Sequence, residues 1–182
     1  ICDEIHAPLS GTEHTPLHQV PGGERAFVVT SSSKSWNLAG LKAGLIIPGA
    51  EVADVVAGLS GYVPESASYL GVVAHATALT EGRDWLAEAS SEIRENKQHF
   101  AEELHRAIPE LTYTPSQGTY LAWLDCSPLG LDHAGQHFFE KAKVRFGQGT
   151  DYAPSATQFV RVNLATSKEI ISEAVRRMAA SL

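Results

Sequence analysis

The chain has 182 residues, 43% of them hydrophobic and 19% charged, which is an ordinary composition for one or two small globular domains. Its formal net charge of −7 argues against nucleic acid or an anionic membrane surface as a partner. The chain contains no apolar run of membrane-spanning length and no signal-peptide pattern, and Cys2 and Cys126 lack metal-ligand spacing, so free thiols in a reducing cytoplasm are expected.

Short apolar runs separated by loops characterise the first half of the chain. Residues 7–23, rich in Pro, Gly, Thr and His, predict a loop. The β-branched run at 26–29 predicts a buried strand, and a second strand is predicted at 43–47, just before a proline. Residues 66–78 predict an amphipathic helix whose small side chains suit packing in a core or across a subunit interface. Its apolar stripe consists of Ala67, Leu70, Val73, Ala74 and Thr77.

The second half opens with the longest helical pattern, at 84–108, which Pro109 ends. Alternating apolar residues predict strands at 119–125 and 159–164, and a short helix is predicted at 133–143. Thr166 is followed three residues later by Glu169, a capping-box pattern that opens a final helix. We therefore expect an antiparallel or mixed sheet that helices cover on one side.

Lys34 follows the first of these strands, among serines, at the rim of the predicted sheet. A partly desolvated lysine has a lowered pKa and can attack a carbonyl, while hydroxyls and backbone N–H groups can hold a phosphate. An aldehyde and a phosphate together describe pyridoxal phosphate. The alternative is a solvated lysine in a serine-rich loop.

Arg161 lies in the middle of the strand predicted at 159–164. The two-residue period places Val160, Val162 and Leu164 on one face and Phe159, Arg161 and Asn163 on the other. A guanidinium among apolar neighbours needs an anionic partner, and its planar fork fits a carboxylate. The partner can be a substrate carboxylate or an internal Asp or Glu.

Two histidine pairs have a spacing that can bind zinc on a helix face. They are His14 with His18 and His133 with His137, each four residues apart. Because neither pair has an evident third ligand, solvated histidines are the favoured interpretation, and no metal is predicted.

Four motifs occur in an order that spans nearly the whole chain. They are Asp-Glu-Ile-His at 3–6, Ser-x-Ser-Lys-Ser-Trp-Asn at 31–37, Gln-Gly-Thr-Tyr-Leu-Ala-Trp-Leu at 117–124 and Phe-Val-Arg-Val-Asn at 159–163. Together they resemble the fold-type I pyridoxal-phosphate enzymes, and most of all the cystathionine β-lyase/C–S lyase branch related to class I and II aminotransferases. The resemblance covers the C-terminal half of that family, and the chain begins without a methionine, as though partway through a strand.

The resemblance implies a role for each candidate residue. Lys34 would bind the cofactor covalently and, once freed, remove the substrate Cα proton, while Asp3 would keep the cofactor's pyridine nitrogen protonated. His6 occupies a position where aminotransferases commonly carry a tyrosine, and histidine there is typical of the C–S lyase branch.

The remaining implied roles concern the phosphate and the substrate. Ser31 and Ser33 would contact the phosphate, with turn hydrogen bonds as their alternative role. Lys42, eight positions after Lys34, stands where the family has a phosphate-binding arginine. A lysine there keeps the charge but loses the bidentate fork, and a surface lysine is an equal alternative. Arg161 would bind the substrate carboxylate.

The implied fold is α/β. Residues 1–86 would form the C-terminal part of a pyridoxal-phosphate transferase large domain, with a mostly parallel sheet and helices. Residues 87–182 would form a small α+β C-terminal domain. The N-terminal half of such an enzyme is missing from this chain, and the family implies a homodimer acting on a small amino acid.

The implied activity is β-elimination on cystathionine or cysteine S-conjugates, which gives a thiol, pyruvate and ammonia. An aminotransferase on the same scaffold is the first alternative, because reprotonation at the cofactor carbon leads to transamination. A catalytically silent regulatory or interaction domain is the second, since Lys42 departs from the family pattern and half the enzyme is missing.

Overall fold

The computed structural model describes residues 1–182, except for the side chains of residues 11–13. The chain divides into two compact units, at residues 1–90 and 91–182. The division falls inside one long helix, Arg83–Ala107.

Unit 1 is built around a small mixed sheet. Its strands are β1 (Cys2–Asp3), β2 (Phe27–Thr30) and β3 (Leu45–Pro48), in the order β1-β2-β3. β1 runs parallel to β2, and β3 runs antiparallel to β2, so this sheet is mixed and not mostly parallel as expected. The positions of the predicted strands are confirmed, although β3 begins two residues later than predicted and includes the proline. The expected burial of the first predicted strand is wrong, because only Val28 of β2 is buried.

The helices of unit 1 are mostly short. They are α1 (Ser32–Ser35), α2 (Ala53–Ala57), α3 (Tyr62–Glu65) and α4 (Tyr69–Glu81), with 3-10 helices at Ala7–Glu13, Leu17–Gln19, Gly23–Arg25, Ala39–Leu41 and Ala50–Val52. The predicted loop at 7–23 therefore contains short helical turns. Pro8, in the first turn of the first 3-10 helix, suits that position because it has no N–H to leave unpaired.

The predicted helix at 66–78 is confirmed with shifted bounds, because the Ser68 hydroxyl caps α4 by accepting the Gly71 N–H. Its buried residues are Gly71, His75 and Ala78, whereas Leu70 and Val73 of the predicted stripe are exposed. The stripe is therefore not part of a core within unit 1. Packing across an interface, the other expectation for it, stays a prediction.

Unit 2 contains an antiparallel sheet with the strand order β4-β6-β5. The strands are β4 (Leu121–Asp125), β5 (Gly147–Gln148) and β6 (Phe159–Asn163). The strands predicted at 119–125 and 159–164 are confirmed, and so is the antiparallel alternative for the sheet.

Helices cover one face of this sheet. They are the C-terminal part of α5 (Arg83–Ala107), α6 (Ala134–His137), which continues as a π-helix at Phe138–Ala142, and α7 (Lys168–Ala180), with 3-10 helices at Ser127–Leu129 and Gly149–Asp151. The cap predicted at Thr166 is wrong by one residue. Ser167 caps α7 by accepting the Ile170 N–H, and the Thr166 carbonyl instead accepts a hydrogen bond from Asn96.

The core of unit 2 lies between the sheet and these helices. Its fully buried side chains include Leu124 and Val160 from the sheet, Leu104 from α5 and Val175 from α7. Among the described residues, no helix combines the length and apolar character needed to cross a membrane.

Candidate active site

The parallel pairing of β1 with β2 brings Asp3 and the Lys34 turn to one edge of the unit 1 sheet. Asp3 is the last residue of β1 and pairs with Val29, one residue before β2 ends, and α1 with Lys34 follows directly. The Glu4 N–H donates to the Val29 carbonyl at 2.9 Å, which extends the alignment past the strand end. The carboxyl ends of parallel neighbours meet at the same sheet edge, so the topology gathers a carboxylate and an amine there.

The Asp3 carboxylate is exposed, and its Oδ1 accepts the Ile5 N–H at 2.9 Å. This bond shapes the turn that leads to His6, which begins the 3-10 helix at Ala7–Glu13 as its N-cap. His6 is half-buried at the same sheet edge. The 3.5 Å hydrogen bond from the Ser35 hydroxyl to the Ile5 carbonyl ties this turn to α1.

Ser31 organises the start of α1. Its hydroxyl accepts the Ser33 N–H at 3.1 Å and donates to the Ala43 carbonyl at 2.6 Å. Because the hydroxyl has a single hydrogen, this hydrogen is already engaged within the protein. Ser33 is half-buried, as is Lys34.

Lys42 comes directly before Ala43, so the Ser31 bond also brings the Lys42 backbone to the Lys34 turn. Lys42 is exposed and has a left-handed backbone, with φ of 56°, at the end of the 3-10 helix Ala39–Leu41. A residue other than glycine seldom adopts this conformation without a reason. The structure thus brings Asp3, His6, Ser31, Ser33, Lys34 and Lys42 to one region of unit 1.

Arg161 of unit 2 is the seventh candidate residue. Burial alternates along β6 as predicted, with Val160 and Val162 buried and Arg161 exposed. The Arg161 guanidinium lies 4.9 Å from the centroid of the Tyr152 ring, which contacts Trp123 edge-on at 5.4 Å. Among the described residues, no carboxylate lies within ion-pair distance of Arg161. The guanidinium is therefore held by an aromatic ring and has donors for an anion.

Two further residues adjoin Arg161. Burial raises the pKa of the Tyr120 phenol, and the positive charge of Arg161 acts in the opposite direction. A Cβ atom placed on Gly147 would lie 3.2 Å from the Tyr152 hydroxyl and 3.4 Å from Arg161 Nε. Glycine at position 147 therefore lets the guanidinium and the ring pack against the backbone of β5.

Comparison with known proteins decides the family. A model described as "Aminotransferase class I and II" matches residues 1–178. The chain belongs to this family.

Several relatives carry cystathionine beta-lyase names, and others, at 24–25% identity, carry aminotransferase names. A Mycobacterium tuberculosis protein provisionally named cystathionine beta-lyase is 39% identical over 202 residues, which cover 100% of this chain and 50% of the relative. The cystathionine beta-lyase of Corynebacterium glutamicum is 35% identical over 191 residues, which cover 100% of this chain and 50% of that relative. The chain thus spans about half the length of the curated relatives it matches.

Solved structures agree. The structure of a Corynebacterium diphtheriae protein, provisionally described as a pyridoxal-phosphate-dependent beta-cystathionase, has a TM-score of 0.90 and 34% identity. The match covers 98% of this chain and 49% of the Corynebacterium diphtheriae chain. The resemblance drawn from the four motifs is confirmed, and so is the expected fold, a fragment of this aminotransferase architecture.

Sequence reasoning missed His75, which contacts the Lys34 turn. His75 is buried on α4, and its Nδ1 accepts the Ser32 N–H at 3.2 Å. The spacing of His75 from Gly71 and Ala78 places the three residues on one face of the helix. The sequence pattern instead predicted that a more apolar stripe of the same helix is the packed face. Tyr152 was missed as well, because a 3-10 helix brings it to Arg161 from a loop without periodicity.

The histidine pairs contribute no metal centre that the structure reveals. Among the described residues, no group of three or more His, Cys, Asp or Glu side chains lies close enough to hold a metal ion. His14 Nε2 lies 3.2 Å from a Glu4 carboxylate oxygen, and His137 Nε2 lies 3.0 Å from the Ser181 carbonyl.

Proposed function

We propose that this protein is a pyridoxal-phosphate-dependent C–S lyase that eliminates a thiol from cystathionine or a cysteine S-conjugate. The observation that carries the proposal is the parallel pairing of β1 with β2, which gathers Asp3 and Lys34 at one sheet edge. Lyase names among the relatives and His6, which is typical of the C–S lyase branch, favour elimination over transamination.

The side chains at this edge fit the cofactor's chemical groups. Lys34 supplies an amine for the aldehyde, and Asp3 supplies a carboxylate whose Oδ2 can accept the pyridinium hydrogen while Oδ1 holds the turn. For the phosphate, the Ser33 hydroxyl and the Lys42 ammonium are the available groups. The Ser31 hydroxyl would first have to release the Ala43 carbonyl.

The cofactor, when bound, supplies an aromatic ring that stabilises negative charge at the substrate Cα. Asp3 keeps a proton on the ring nitrogen, which strengthens that effect. The Lys34 amine, once free, would take the substrate Cα proton. Departure of the thiolate from Cβ then yields an enamine product that hydrolyses to pyruvate and ammonia.

Arg161 has the duty of binding the substrate α-carboxylate in this proposal. The central carbon of its guanidinium lies 4.9 Å from the centroid of the Tyr152 ring, and an arginine fork binds a carboxylate through two parallel hydrogen bonds. Arg161→Lys is expected to raise KM about tenfold, because lysine loses the fork. Arg145→Lys is the matched control, since Arg145 also lies over an aromatic ring, 6.0 Å from the centroid of Phe139. Equal effects of the two substitutions would argue against this role.

The decisive experiment tests the covalent bond to Lys34. The protein is incubated with pyridoxal phosphate, reduced with borohydride and digested, and the modified peptide is identified by mass spectrometry. We expect a visible absorbance band, lost on reduction, and a label on Lys34. Lys34→Ala should remove both, and Lys42→Ala should keep the label on Lys34 but weaken cofactor retention. Absence of the band from the unaltered protein would favour a catalytically silent domain.

Product analysis separates the two enzyme activities. A lyase forms pyruvate and ammonia from cystathionine without any added keto acid, whereas an aminotransferase forms a keto acid only when an acceptor is supplied. Lys34→Ala should lower either activity by at least about a hundredfold, because the residue supplies both the covalent attachment and the base.

We further propose that the active enzyme is a homodimer in the cytoplasm. Both cysteines are free, which suits a reducing compartment, and α4 exposes Tyr69, Leu70, Val72 and Val73, which need apolar cover. Sedimentation of the active species tests the assembly, and an active monomer would contradict it.

A further inference from the structure

His75 joins α4 to the turn that carries Lys34. Its Nδ1 atom accepts the Ser32 N–H at 3.2 Å and lies 3.1 Å from the Ser32 hydroxyl oxygen. The Ser32 and His75 side chains are both buried, with exposed fractions of 2% and 6%. The contact lies two residues from Lys34 along the chain.

The Ser32 amide determines which imidazole nitrogen carries hydrogen. An amide N–H can only donate, so Nδ1 must be unprotonated, and the neutral ring carries its hydrogen on Nε2. Nε2 is buried and has no hydrogen-bond partner among the described residues. A protonated ring would direct an Nδ1–H at the Ser32 amide hydrogen and would break the contact.

The contact matters because α1 is a single helical turn, Ser32–Ser35, which is not stable without contacts to the rest of the protein. A helix leaves its first N–H groups without internal acceptors, and one isolated turn is unstable in water. Here Ser31 accepts the Ser33 N–H, and His75 accepts the Ser32 N–H. At the other end, the Trp36 indole N–H donates to the Gly82 carbonyl at 2.8 Å, just beyond α4. The turn is thus fastened to α4 at both ends.

We propose that His75 is a positioning residue that, through Nδ1, fixes the orientation of the Lys34 turn. The proposal rests on the proposed function of Lys34 as the cofactor lysine. His75 acts through the Ser32 backbone and has no assigned contact with substrate or cofactor.

The surroundings of His75 favour the neutral ring. The titratable groups on the elements that pack against α4 are Lys34 of α1 and Lys42 after the 3-10 helix Ala39–Leu41, and α4 itself adds Tyr69 and Glu81. Burial lowers the pKa of His75. An opened turn therefore takes up a proton at a higher pH than the closed turn, so closure is most stable above about pH 6.5, the ordinary histidine pKa. Stability of the closed turn falls as the pH drops from there through the lowered pKa.

The first test uses the unaltered protein without cofactor. Nitrogen-15 NMR of the imidazole should show the Nε2–H form, with Nδ1 as an unprotonated acceptor, and this form should persist below pH 6.5. A ring in the Nδ1–H form, or one that titrates at the ordinary histidine pKa, would overturn the proposal.

The second test compares His75→Asn with His75→Leu. The asparagine side-chain oxygen can accept a hydrogen bond where Nδ1 does, and it does not titrate in this range, whereas leucine fills similar space without an acceptor. We expect His75→Leu to accelerate amide hydrogen exchange at Ser32 and Ser33 at least tenfold, and His75→Asn to restore most of the protection. The asparagine variant should also lose the pH dependence of that protection. His137→Leu, in unit 2, is the control that should leave these amides unchanged.

A readout at Lys34 distinguishes the two proposals. With pyridoxal phosphate added, His75→Leu should slow labelling of Lys34 at least tenfold, and His75→Asn should not. If the His75 variants change amide exchange at Ser32 and Ser33 as expected but Lys34 is not labelled even in the unaltered protein, the cofactor role is refuted. The positioning contact then remains supported. Labelling of Lys34 with no change in the amides of His75→Leu would refute the positioning role alone. Misfolding of His75→Leu, seen by circular dichroism, leaves the NMR test and the asparagine variant to decide.

Discussion

The two units of this chain differ in how their apolar side chains are used. Of the nineteen described apolar side chains that are buried, sixteen form the unit 2 core, whereas unit 1 buries only Leu9, Val28 and Ala78. The exposed large apolar side chains show the opposite distribution, with sixteen of twenty-one in unit 1. On β3, the exposed fractions of Leu45, Ile46 and Ile47 are 40%, 45% and 41%, so both faces of that strand are open.

The difference shows that the units are stabilised in different ways. Unit 2 is a closed layer of helices on a sheet, which the hydrophobic effect can stabilise by itself. Unit 1 buries Ser31, Ser32, Ser35 and His75 around its Lys34 turn and fixes them with hydrogen bonds. Such bonds define geometry but contribute only about 1 kcal/mol each to stability, so unit 1 needs additional apolar cover.

The cysteines should reveal the largest contrast. Burial and the neighbouring Asp125 raise the pKa of Cys126 to about 12, so at pH 8 only about one thiol in 10⁴ is ionised. Cys2, on β1 of unit 1, is half-buried. We expect iodoacetamide to modify Cys2 at least a hundredfold faster, measured by peptide mass spectrometry. In urea, where the protein is unfolded, the two cysteines should react at equal rates, and this is the reference. Equal rates in the native protein would contradict a closed unit 2 core.

A truncated leucine in each unit should separate the two kinds of packing. Leu104 is fully buried in unit 2, while Leu70 on α4 has an exposed fraction of 72%. Leu104→Ala should lower the free energy of unfolding by about 2–5 kcal/mol, because it leaves a cavity. In the dissociated chain, where α4 is uncovered, Leu70→Ala should change it by less than about 0.5 kcal/mol. Urea unfolding followed by circular dichroism measures both, and a large loss for Leu70→Ala would mean that α4 is covered by an assembly.

Lys97 tests whether unit 2 also depends on a polar contact. Its side chain has an exposed fraction of 2%, and its ammonium donates to the Ser116 and Gly118 carbonyls at 2.8 and 2.9 Å. Burial lowers the pKa of Lys97. Lys97→Met should destabilise unit 2 by about 1–3 kcal/mol, because two carbonyls lose their donor. Lys141→Met, at an exposed position, is the control, and equal urea midpoints for the two variants would refute the role.

Removal of one helix cap from each unit should give the smallest effects. Ser31→Ala removes an acceptor for Ser33 and a donor for Ala43, whereas Ser167→Ala removes one acceptor at α7. Loss of a cap costs about 1 kcal/mol. Ser31→Ala should therefore accelerate local amide exchange in unit 1 more than Ser167→Ala does in unit 2. The reverse order would show that the Lys34 turn does not depend on its side-chain hydrogen bonds.

Most elements were predictable because their patterns are local. The alternation along 159–164 separated buried Val160 from exposed Arg161, and Pro109 marked the end of α5, because both signals act within a few residues. The cap of α7 was misplaced by one residue because Thr166 and Ser167 are both suitable caps, and the contact of Asn96 with the Thr166 carbonyl lies far away in sequence.

The sequence by itself determined the family, the chemistry available at Lys34, Asp3 and Arg161, and the period of each element, since these depend on residue identity and short spacing. Tertiary structure decided which face of α4 is buried, that β3 runs antiparallel to β2, and that His75 meets Ser32. Those outcomes depend on contacts between residues such as Ser32 and His75, which are 43 positions apart, and no local pattern encodes which distant partner a side chain will meet.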